Sequence, residues 1–406
     1  MAITSTEIMQ QCTARPAQPV ACEAKTEQMD ESTSRRENRV LFLMQLLYFI
    51  FYASQGCLAP YLPIYYHSLG HGGKIIGFLG SVTPFTTFLV APMWGLLSDW
   101  CGRPFLVLYA TSFIALVGQL LVALHNNPTY ITTMVFLTAI FSAPIKPLID
   151  SLVMDQLKDR KQFGKLRLWG LLGFGVATSI AGQLLEDTTS QPSLNIAPVV
   201  DFDATMLQQA LNFWQNVTGY RLLFFLHAVL HIPTFLCIRA FQTTHQESTK
   251  DKLAKHNKAV SQAPSTRIRD VLSMLVRDSD AILFFSLVFV MGISAAVADN
   301  FAYVRIREVG GGGKEMGLSR LISSLAGAPM FWFSGTLTEL VGVDKVILLS
   351  LVTYGTRFGI YAFMTRPHHV FVAEALRGFT FGAFWSSSTF YACSIAPPRV
   401  RATMVR

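Results

Sequence analysis

Residues 95–103 read Gly95-Leu-Leu-Ser-Asp99-Trp-Cys-Gly102-Arg103 and lie between two long apolar stretches, residues 75–97 and 104–124. Gly95 and Gly102 permit a tight turn of the backbone, and Asp99 and Arg103 place both signs of charge in a very short connection. Alone, such a connection is weak evidence for any fold. It becomes informative because the chain contains a second copy.

The second copy begins 240 positions further on, at Gly335-Thr-Leu-Thr-Glu339-Leu-Val-Gly342. The same offset carries the glycines and the lysine of residues 72–77 onto residues 312–317. The second copy departs from the first at Val343, which stands where the first has an arginine. Ungapped agreement over about thirty positions predicts an internal duplication.

The composition predicts a protein that crosses the membrane many times. Hydrophobic residues make up 51% of the 406 residues and charged residues only 14%, and the mean hydropathy is +0.39. The net charge of +8 could indicate nucleic-acid binding. However, residues 241–278 hold seven basic side chains, whereas residues 187–218 hold no Lys or Arg. That asymmetry is typical of loops on opposite sides of a bilayer, so we expect a lipid environment and no nucleic-acid partner.

Ten apolar stretches are each long enough to cross a bilayer of ~30 Å as a helix that rises 1.5 Å per residue. We number them as the first to tenth spans: 40–66, 75–97, 104–124, 129–151, 166–186, 219–240, 279–304, 315–338, 345–364 and 369–393. Helices are expected because an open sheet edge cannot be solvated in lipid.

The polar segments between the spans predict the domain organisation. The expected units are a disordered cytosolic tail at 1–38, a six-span bundle at 39–240, a cytosolic linker at 241–278 and a four-span bundle at 279–406. With a cytosolic N-terminus, the basic connections lie inside the cell and residues 187–218 lie outside, where Asn216 begins a glycosylation sequon. The chain ends where an eleventh span would begin, which we interpret as truncation rather than a ten-span variant.

The duplicated spans, the basic central loop and the repeated G-x-L-x-D-x-x-G-R connection resemble the major facilitator superfamily over residues 40–406. Residues 163–170 resemble its lactose-permease-like branch, and residues 144–151 resemble the phenylpropionate and nucleoside symporters of that branch. Residues 395–403 and the pair Glu374 and Arg377 resemble the major facilitator superfamily domain-containing protein 6 family. The resemblance implies an all-α membrane fold of two parallel six-helix repeats, the second incomplete.

The resemblance also implies a gate at the cytosolic ends of the spans. Asp99 would pair with Arg103 and face the start of an eleventh helix, whose amide dipoles favour an anion. Gly95 and Gly102 belong to the same gating connection, and Glu339 is its counterpart in the second copy.

Further resemblance to lactose permease assigns a substrate site to the fourth and fifth spans. It places Asp150 and Arg167 as the acid and the arginine that bind substrate, with Trp169 and Phe174 as stacking surfaces. Independently, a guanidinium forks onto hydroxyls or carboxylates, and a carboxylate accepts hydrogen bonds from sugar hydroxyls. The alternative is an ion pair at the cytosolic edge with a snorkelling arginine. Gln55 in the first span could bind solute or a neighbouring helix.

The fourth span is expected to bend at this site. Lys146 and Asp150 are four residues apart and share a helix face, while Pro144 and Pro147 remove backbone donors beside them. We therefore predict a kink at the depth of these two charges.

Ionisable residues in the later spans are candidates for proton coupling. The tenth span carries Glu374 and Arg377 on one face, the ninth carries Arg357, the eighth Arg320 and the seventh Asp299. Buried carboxylates beside arginines can take up and release a proton, as a proton symporter requires. A static salt bridge between helices is the alternative.

No cofactor, metal site or enzymatic centre is expected. His227 and His231 lie four apart, but without a third ligand an interhelical hydrogen bond is the favoured reading. Residues 310–314 superficially resemble a phosphate loop, yet they lack the following Ser or Thr. No nucleophile or HExxH arrangement is present in the sequence.

These observations predict a secondary transporter of a small polar organic solute, such as a sugar or nucleoside, together with protons, by alternating access. The plasma membrane is the default location. The alternative is a non-transporting receptor or scaffold that keeps the transporter fold.

Overall fold

The computed structural model describes residues 19–157, 162–189, 219–255 and 279–385, together with residues 387, 388 and 391. Within these residues all regular structure is helical, so the all-α prediction is confirmed. The predicted sequon at Asn216 and residues 256–278 of the predicted linker lie outside the described residues.

Helices of the first half correspond to the six predicted spans, with breaks in the first and the fourth. They are Pro19–Leu58, the 3-10 turn Ala59–Tyr61, Leu62–Ser68, Gly73–Cys101, Pro104–Val122, Pro128–Ser142, Ile145–Gln156, Gln162–Thr189 and Tyr220–Lys255. The second half contributes Ser279–Glu308, Gly313–Val341, Val343–Phe363, His369–Ala375 and the π-helical segment Gly378–Ala383.

Two helices extend beyond the expected span boundaries. The first begins at Pro19, so residues 19–38 of the predicted disordered tail are helical, and the sixth runs on through residues 241–255 of the predicted linker. Extending an existing helix is far easier than nucleating one, and these extensions are rich in Glu, Lys, Ala and Gln. The apolar spans therefore continue as helices into polar sequence.

Eight helical segments of the described residues are long and apolar enough to cross a membrane. The eighth and tenth predicted spans are helical but less apolar or less continuous. The eighth carries Lys314, Glu315 and Arg320, and it packs along the fifth span rather than facing lipid over its whole length. The tenth is divided between Ala375 and Gly378. Spans enclosed by other helices need less hydrophobic surface.

The duplication is confirmed by backbone geometry at the connection before the second and eighth spans. Gly70 and Gly310 both adopt φ +84°, a left-handed conformation that favours glycine. The helices that follow, Gly73–Cys101 and Gly313–Val341, are both 29 residues long. Equivalent turns thus introduce equivalent helices in the two halves.

The predicted kink in the fourth span is confirmed. Its first helix ends at Ser142, and the second begins at Ile145 after Pro144. The corresponding tenth span is also interrupted, and its π-helical segment follows Arg377 directly. Interrupted helices and π-helical segments recur at functional sites because they redirect side chains and leave backbone groups available.

The two halves share one hydrophobic core at one end of the molecule and have separate cores at the other. At the predicted outer end, Tyr61 and Ile64 of the first half pack in the same cluster as Tyr303 and Met316 of the second. Toward the predicted cytosolic end, one cluster contains first-half residues only and another contains second-half residues only. The halves are therefore joined at the outer end.

Glycines permit this joining. A Cβ atom on Gly182 of the fifth span would overlap the carbonyl oxygen of Gly313 in the eighth, and the reverse overlap also holds. Likewise, a Cβ atom on Gly317 would lie 2.8 Å from the Cα atom of Ser179. Backbones that approach this closely exclude any larger residue.

We expect Gly182→Ala to lower the apparent melting temperature of the detergent-purified protein by several degrees. The added methyl group meets rigid backbone, and overpacking of this kind typically costs about 1–3 kcal/mol. Gly355→Ala in the ninth span is the matched control because no atom lies within 4 Å of its added Cβ. Equal melting temperatures for the two variants would contradict the tight contact.

Candidate functional site

Each half carries a group of charged side chains within its helices. The first half contributes Asp150 and Arg167 from its fourth and fifth spans. The second half contributes five charged residues from its seventh to tenth spans. A charge inside a membrane protein is either paired with an opposite charge or used for function. These groups contain ion pairs, and their position also suits a functional site.

The first-half group is an ion pair with two tyrosine rings beside it. Nη2 of Arg167 donates to Oδ2 of Asp150 at 2.7 Å, and the Tyr48 hydroxyl donates to Oδ1 of the same carboxylate. The Tyr48 ring stacks on that of Tyr52, with ring centroids 6.1 Å apart. Nζ of Lys146 lies 5.8 Å from the centroid of the Tyr52 ring. Hydroxyl, carboxylate and guanidinium groups therefore converge beside flat apolar faces.

Glycine contacts between the first and fifth spans set this geometry. A Cβ atom on Gly173 would overlap the carbonyl oxygen of Phe49, and one on Gly56 would lie 2.5 Å from that of Phe174. The two helices thus approach backbone to backbone. This contact places Phe174 and Arg167, seven residues and two helical turns apart, on one face of the fifth span.

The second-half group is organised around Asp299 of the seventh span. Arg377 donates from Nη1 and Nη2 to the two carboxylate oxygens of Asp299, the latter bond being 3.2 Å long. Arg320 reaches only Oδ1, at 3.3 Å from both of its terminal nitrogens. Close approach of the eighth and tenth spans at Gly378, where a Cβ atom would overlap the carbonyl oxygen of Ala326, supports this arrangement.

Arg357 and Glu374 form a buried pair beside it, with side chains 2% and 5% exposed. Arg357 donates to Oε1 of Glu374 at 3.1 Å, to the Ala373 carbonyl at 2.9 Å and to the Thr380 hydroxyl at 3.0 Å. The Tyr361 hydroxyl donates to the same Glu374 oxygen. The hydrogen bonds of Arg357 and of this Glu374 oxygen offset the cost of burying the pair, whereas Oε2 of Glu374 is buried without a hydrogen bond in the described part of the chain.

One contact beside the second-half group crosses between the halves. The guanidinium carbon of Arg320 lies 5.2 Å from the centroid of the Phe174 ring, a cation–π distance. Phe174 belongs to the fifth span and Arg320 to the eighth, so the second-half group touches the helix that also carries Arg167, two turns away.

The structure brings most of the predicted site residues together and leaves Trp169 apart. Asp150 and Arg167 lie in the first-half group, Asp299, Arg357, Glu374 and Arg377 lie in the second, and Phe174 contacts Arg320 of the second group. Trp169 shares an exposed face with Val176 and Ile180 instead, at spacings of seven and four residues. Gln55 is half-buried in the first span.

The predicted gating connection is only partly described. Gly102 adopts φ +61°, as a tight turn requires, and the helix of the third span follows Arg103, whose side chain is exposed. Gly95 lies within the helix of the second span. The side chains of Asp99 and Glu339 lie outside the described residues, so the predicted pairing stays a prediction.

Sequence reasoning missed the tyrosines of the site. Tyr361 follows Arg357 by four residues on one helix, a spacing that places their side chains together and could have identified it. Tyr48 carries no comparable signal, since it reaches Asp150 from a span more than a hundred residues away. Long-range partners of this kind need the tertiary structure.

The two histidines of the sixth span form a buried hydrogen-bonded cluster with the first span. The Ser54 hydroxyl lies 3.1 Å from Nδ1 of both His227 and His231, and Nδ1 of His227 lies 2.8 Å from the Ser54 carbonyl. In the described part of the chain no group of three or more His, Cys, Asp or Glu side chains is placed to hold a metal ion.

Comparison with known proteins agrees with this architecture. The sequence model of the MFS_1-like family matches residues 41–405. The chain is 26% identical to a maltose permease of Geobacillus stearothermophilus over 89% of this chain and 80% of that protein. It is 22% identical to major facilitator superfamily domain-containing protein 6-like protein B of Xenopus laevis, over 68% of this chain but only 40% of that longer protein.

Solved structures show the same fold at low sequence identity. A mutant of the nucleoside transporter NupG superposes with a TM-score of 0.69 at 14% identity, covering 90% of this chain and 86% of that one. A bacterial homologue of the lysosomal transporter Spinster, in an inward-facing and unoccupied conformation, gives a TM-score of 0.58 at 16% identity, over 91% and 78%. With its family match over nearly the whole chain, this multi-pass membrane protein belongs to the MFS_1-like family of the major facilitator superfamily.

Proposed function

We propose that this protein is a proton-coupled symporter that moves a small polar organic solute by alternating access. The observation that carries the proposal is that each half contributes a charged group, the Asp150–Arg167 pair in the first and the network around Asp299 in the second. Halves that share a core at one end and have separate cores at the other fit a transporter open toward the second end. We place that open end, and the N-terminus, in the cytosol at the plasma membrane.

The solute is proposed to bind first to the Asp150–Arg167 pair. Its hydroxyl groups would exchange hydrogen bonds with the carboxylate and the guanidinium, while Phe174 and the tyrosines pack against its ring. Gln55 supplies a further amide on the neighbouring first span. The maltose permease and the nucleoside transporter among the relatives support a sugar or a nucleoside as the solute class.

Proton coupling is proposed for Asp299 and Glu374. Protonation of Asp299 would remove the charge that holds Arg377 and Arg320 together across three spans. Glu374 adjoins these ion pairs because its Oε2 lies 4.0 Å from Nη1 of Arg377, while its other oxygen pairs with Arg357. A proton on either carboxylate would thereby loosen contacts between helices that must rearrange during transport.

We expect Asp150→Asn and Arg167→Gln to reduce the initial rate of solute uptake about tenfold or more, with surface abundance unchanged. Each change removes a charged hydrogen-bonding partner of the solute, and such bonds contribute about 1.5–3 kcal/mol. The measurement is uptake of a panel of labelled sugars and nucleosides by transport-deficient cells that express the protein.

Glu308→Gln is the matched control for this experiment. Its carboxylate also pairs with an arginine, Arg305 at 3.0 Å, but the pair is exposed and lies outside the site. Normal uptake by the two site variants would refute the assigned solute site. No uptake by any form that reaches the membrane would instead indicate a receptor or scaffold.

Neutralising a coupling carboxylate should separate exchange from accumulation. We expect Asp299→Asn and Glu374→Gln to lose uphill uptake driven by an inward proton gradient, while exchange of internal for external solute persists. Exchange needs no release of the proton, whereas net uptake does. The measurement is made in proteoliposomes, with Glu308→Gln as control, and wild-type accumulation that ignores a protonophore would contradict the coupling.

A further inference from the structure

The second-half group contains more positive than negative charge. It holds three guanidinium groups, Arg320, Arg357 and Arg377, against two carboxylates, Asp299 and Glu374. Among the described residues no other carboxylate lies within ion-pair distance of these arginines, and residues 386–406 contain no Asp or Glu in the sequence. One positive charge is therefore in excess in the interior of a membrane protein.

The excess charge can be assigned to Arg320. Arg357 uses its donors on Glu374, Ala373 and Thr380, and Arg377 occupies both oxygens of Asp299. Arg320 is left with two long bonds to an oxygen that Arg377 already binds. Its Nε is buried, and within the described part of the chain this nitrogen has no hydrogen-bond partner.

An uncompensated charge inside a membrane protein is energetically costly. Its presence therefore suggests that the charge has a function. The Arg320 side chain is 12% exposed, so it can still be reached from the space between the halves. The Phe174 ring lies against the guanidinium, and the N–H groups of Arg320 that Asp299 does not occupy remain for an oxyanion. These features together describe a site whose chemistry suits an anion.

We infer that the transported solute is an organic anion whose carboxylate or phosphate group binds Arg320. The inference rests on the proposed transport function and narrows its solute class. Arg167 lies two helical turns from Phe174, about 10 Å along the helix axis. We propose that the rest of the solute extends from Arg320 along the fifth span toward the Asp150–Arg167 pair.

The charge balance links this anion to the proton. A proton on Asp299 or Glu374 would raise the excess to two positive charges, and a bound monoanion would return it to one. Anion and proton thus favour each other's binding through Coulombic interaction at short range. Uptake of one monoanion with one proton moves no net charge.

The first test needs no knowledge of the natural solute. We expect Arg320→Gln to leave the melting temperature of the purified full chain unchanged or raised, because it removes the excess charge and Asp299 keeps Arg377. Arg357→Gln should lower the melting temperature by several degrees, since it leaves the buried Glu374 short of its partner. A fall as large for Arg320→Gln as for Arg357→Gln would overturn the assignment of the excess charge.

The second test compares pairs of solutes in which one member carries an anionic group and the other does not. In proteoliposomes, glucuronate should compete with or replace glucose, and uridine 5′-monophosphate should do so with uridine, with the anionic member preferred at least tenfold. Arg320→Gln should abolish that preference, and Arg320→Lys should retain part of it. Clamping the membrane potential at different values should leave monoanion uptake unchanged.

The outcomes separate this inference from the proposed function. Transport of the neutral members alone, lost in Asp150→Asn, would overturn the anion inference and leave the transporter proposal standing. Preference for the sugar acid or for the nucleotide decides between a carboxylate and a phosphate. Failure of all four solutes to bind or move would count against both proposals.

Discussion

Backbone contact between the fifth and eighth spans is the constraint on which the rest of the structure depends. Gly182 meets Gly313, and Gly317 meets Ser179, with no room for a side chain between the helices. Deeper in the same interface Gly175 meets Ser324. Packing of this kind replaces the hydrophobic effect, which gives little drive to helix association in lipid. It also fixes the distance at which Phe174 lies beneath Arg320.

The charged residues of the second half divide into a rigid part and a responsive part. Arg357 is 2% exposed and has partners on the ninth and tenth spans for each of its donor groups, so its position is heavily determined. Asp299 is 40% exposed, and among the described residues its ion-pair partners are two arginines from other spans. Loss of one charge at Asp299 therefore releases contacts among three helices, whereas Arg357 keeps Glu374 in place. A site of proton coupling, as proposed for this group, needs a carboxylate that can change its charge and neighbouring residues whose positions stay fixed.

The sequence was sufficient for the fold because its strongest signals are local or periodic. Span lengths, the Pro144 kink and the 240-residue offset all follow from residues close together in the chain or from repetition. Ion-pair partners were less accessible, because Asp299 and Arg377 meet across 78 positions. Trp169 was assigned to the substrate site from a sequence motif. A motif does not show which face of the helix points into the site, because that depends on how the fifth span packs. The helical extension that begins at Pro19 was missed because the polar composition of residues 19–38 was considered alone. Composition does not take into account the apolar helix that follows and from which the helix can extend.

The proposed alternating access would require the outer contact between the halves to open, and that contact contains interactions of unequal strength. At its edge Glu186 accepts a hydrogen bond from the backbone N–H of Lys314 at 2.7 Å, in the first turn of the eighth-span helix. A carboxylate at a helix N-terminus gains from the helix dipole, yet the Lys314 side chain is 59% exposed and water competes for the interaction, so it contributes about 1 kcal/mol or less. The glycine contacts beneath it bring backbone against backbone, and separating them would forfeit dispersion along a helix face. If the protein works by the proposed alternating access, the glycine interface would therefore contribute more to the resistance against opening than the Glu186–Lys314 contact, and a solute would favour the open form only through a higher affinity for that form.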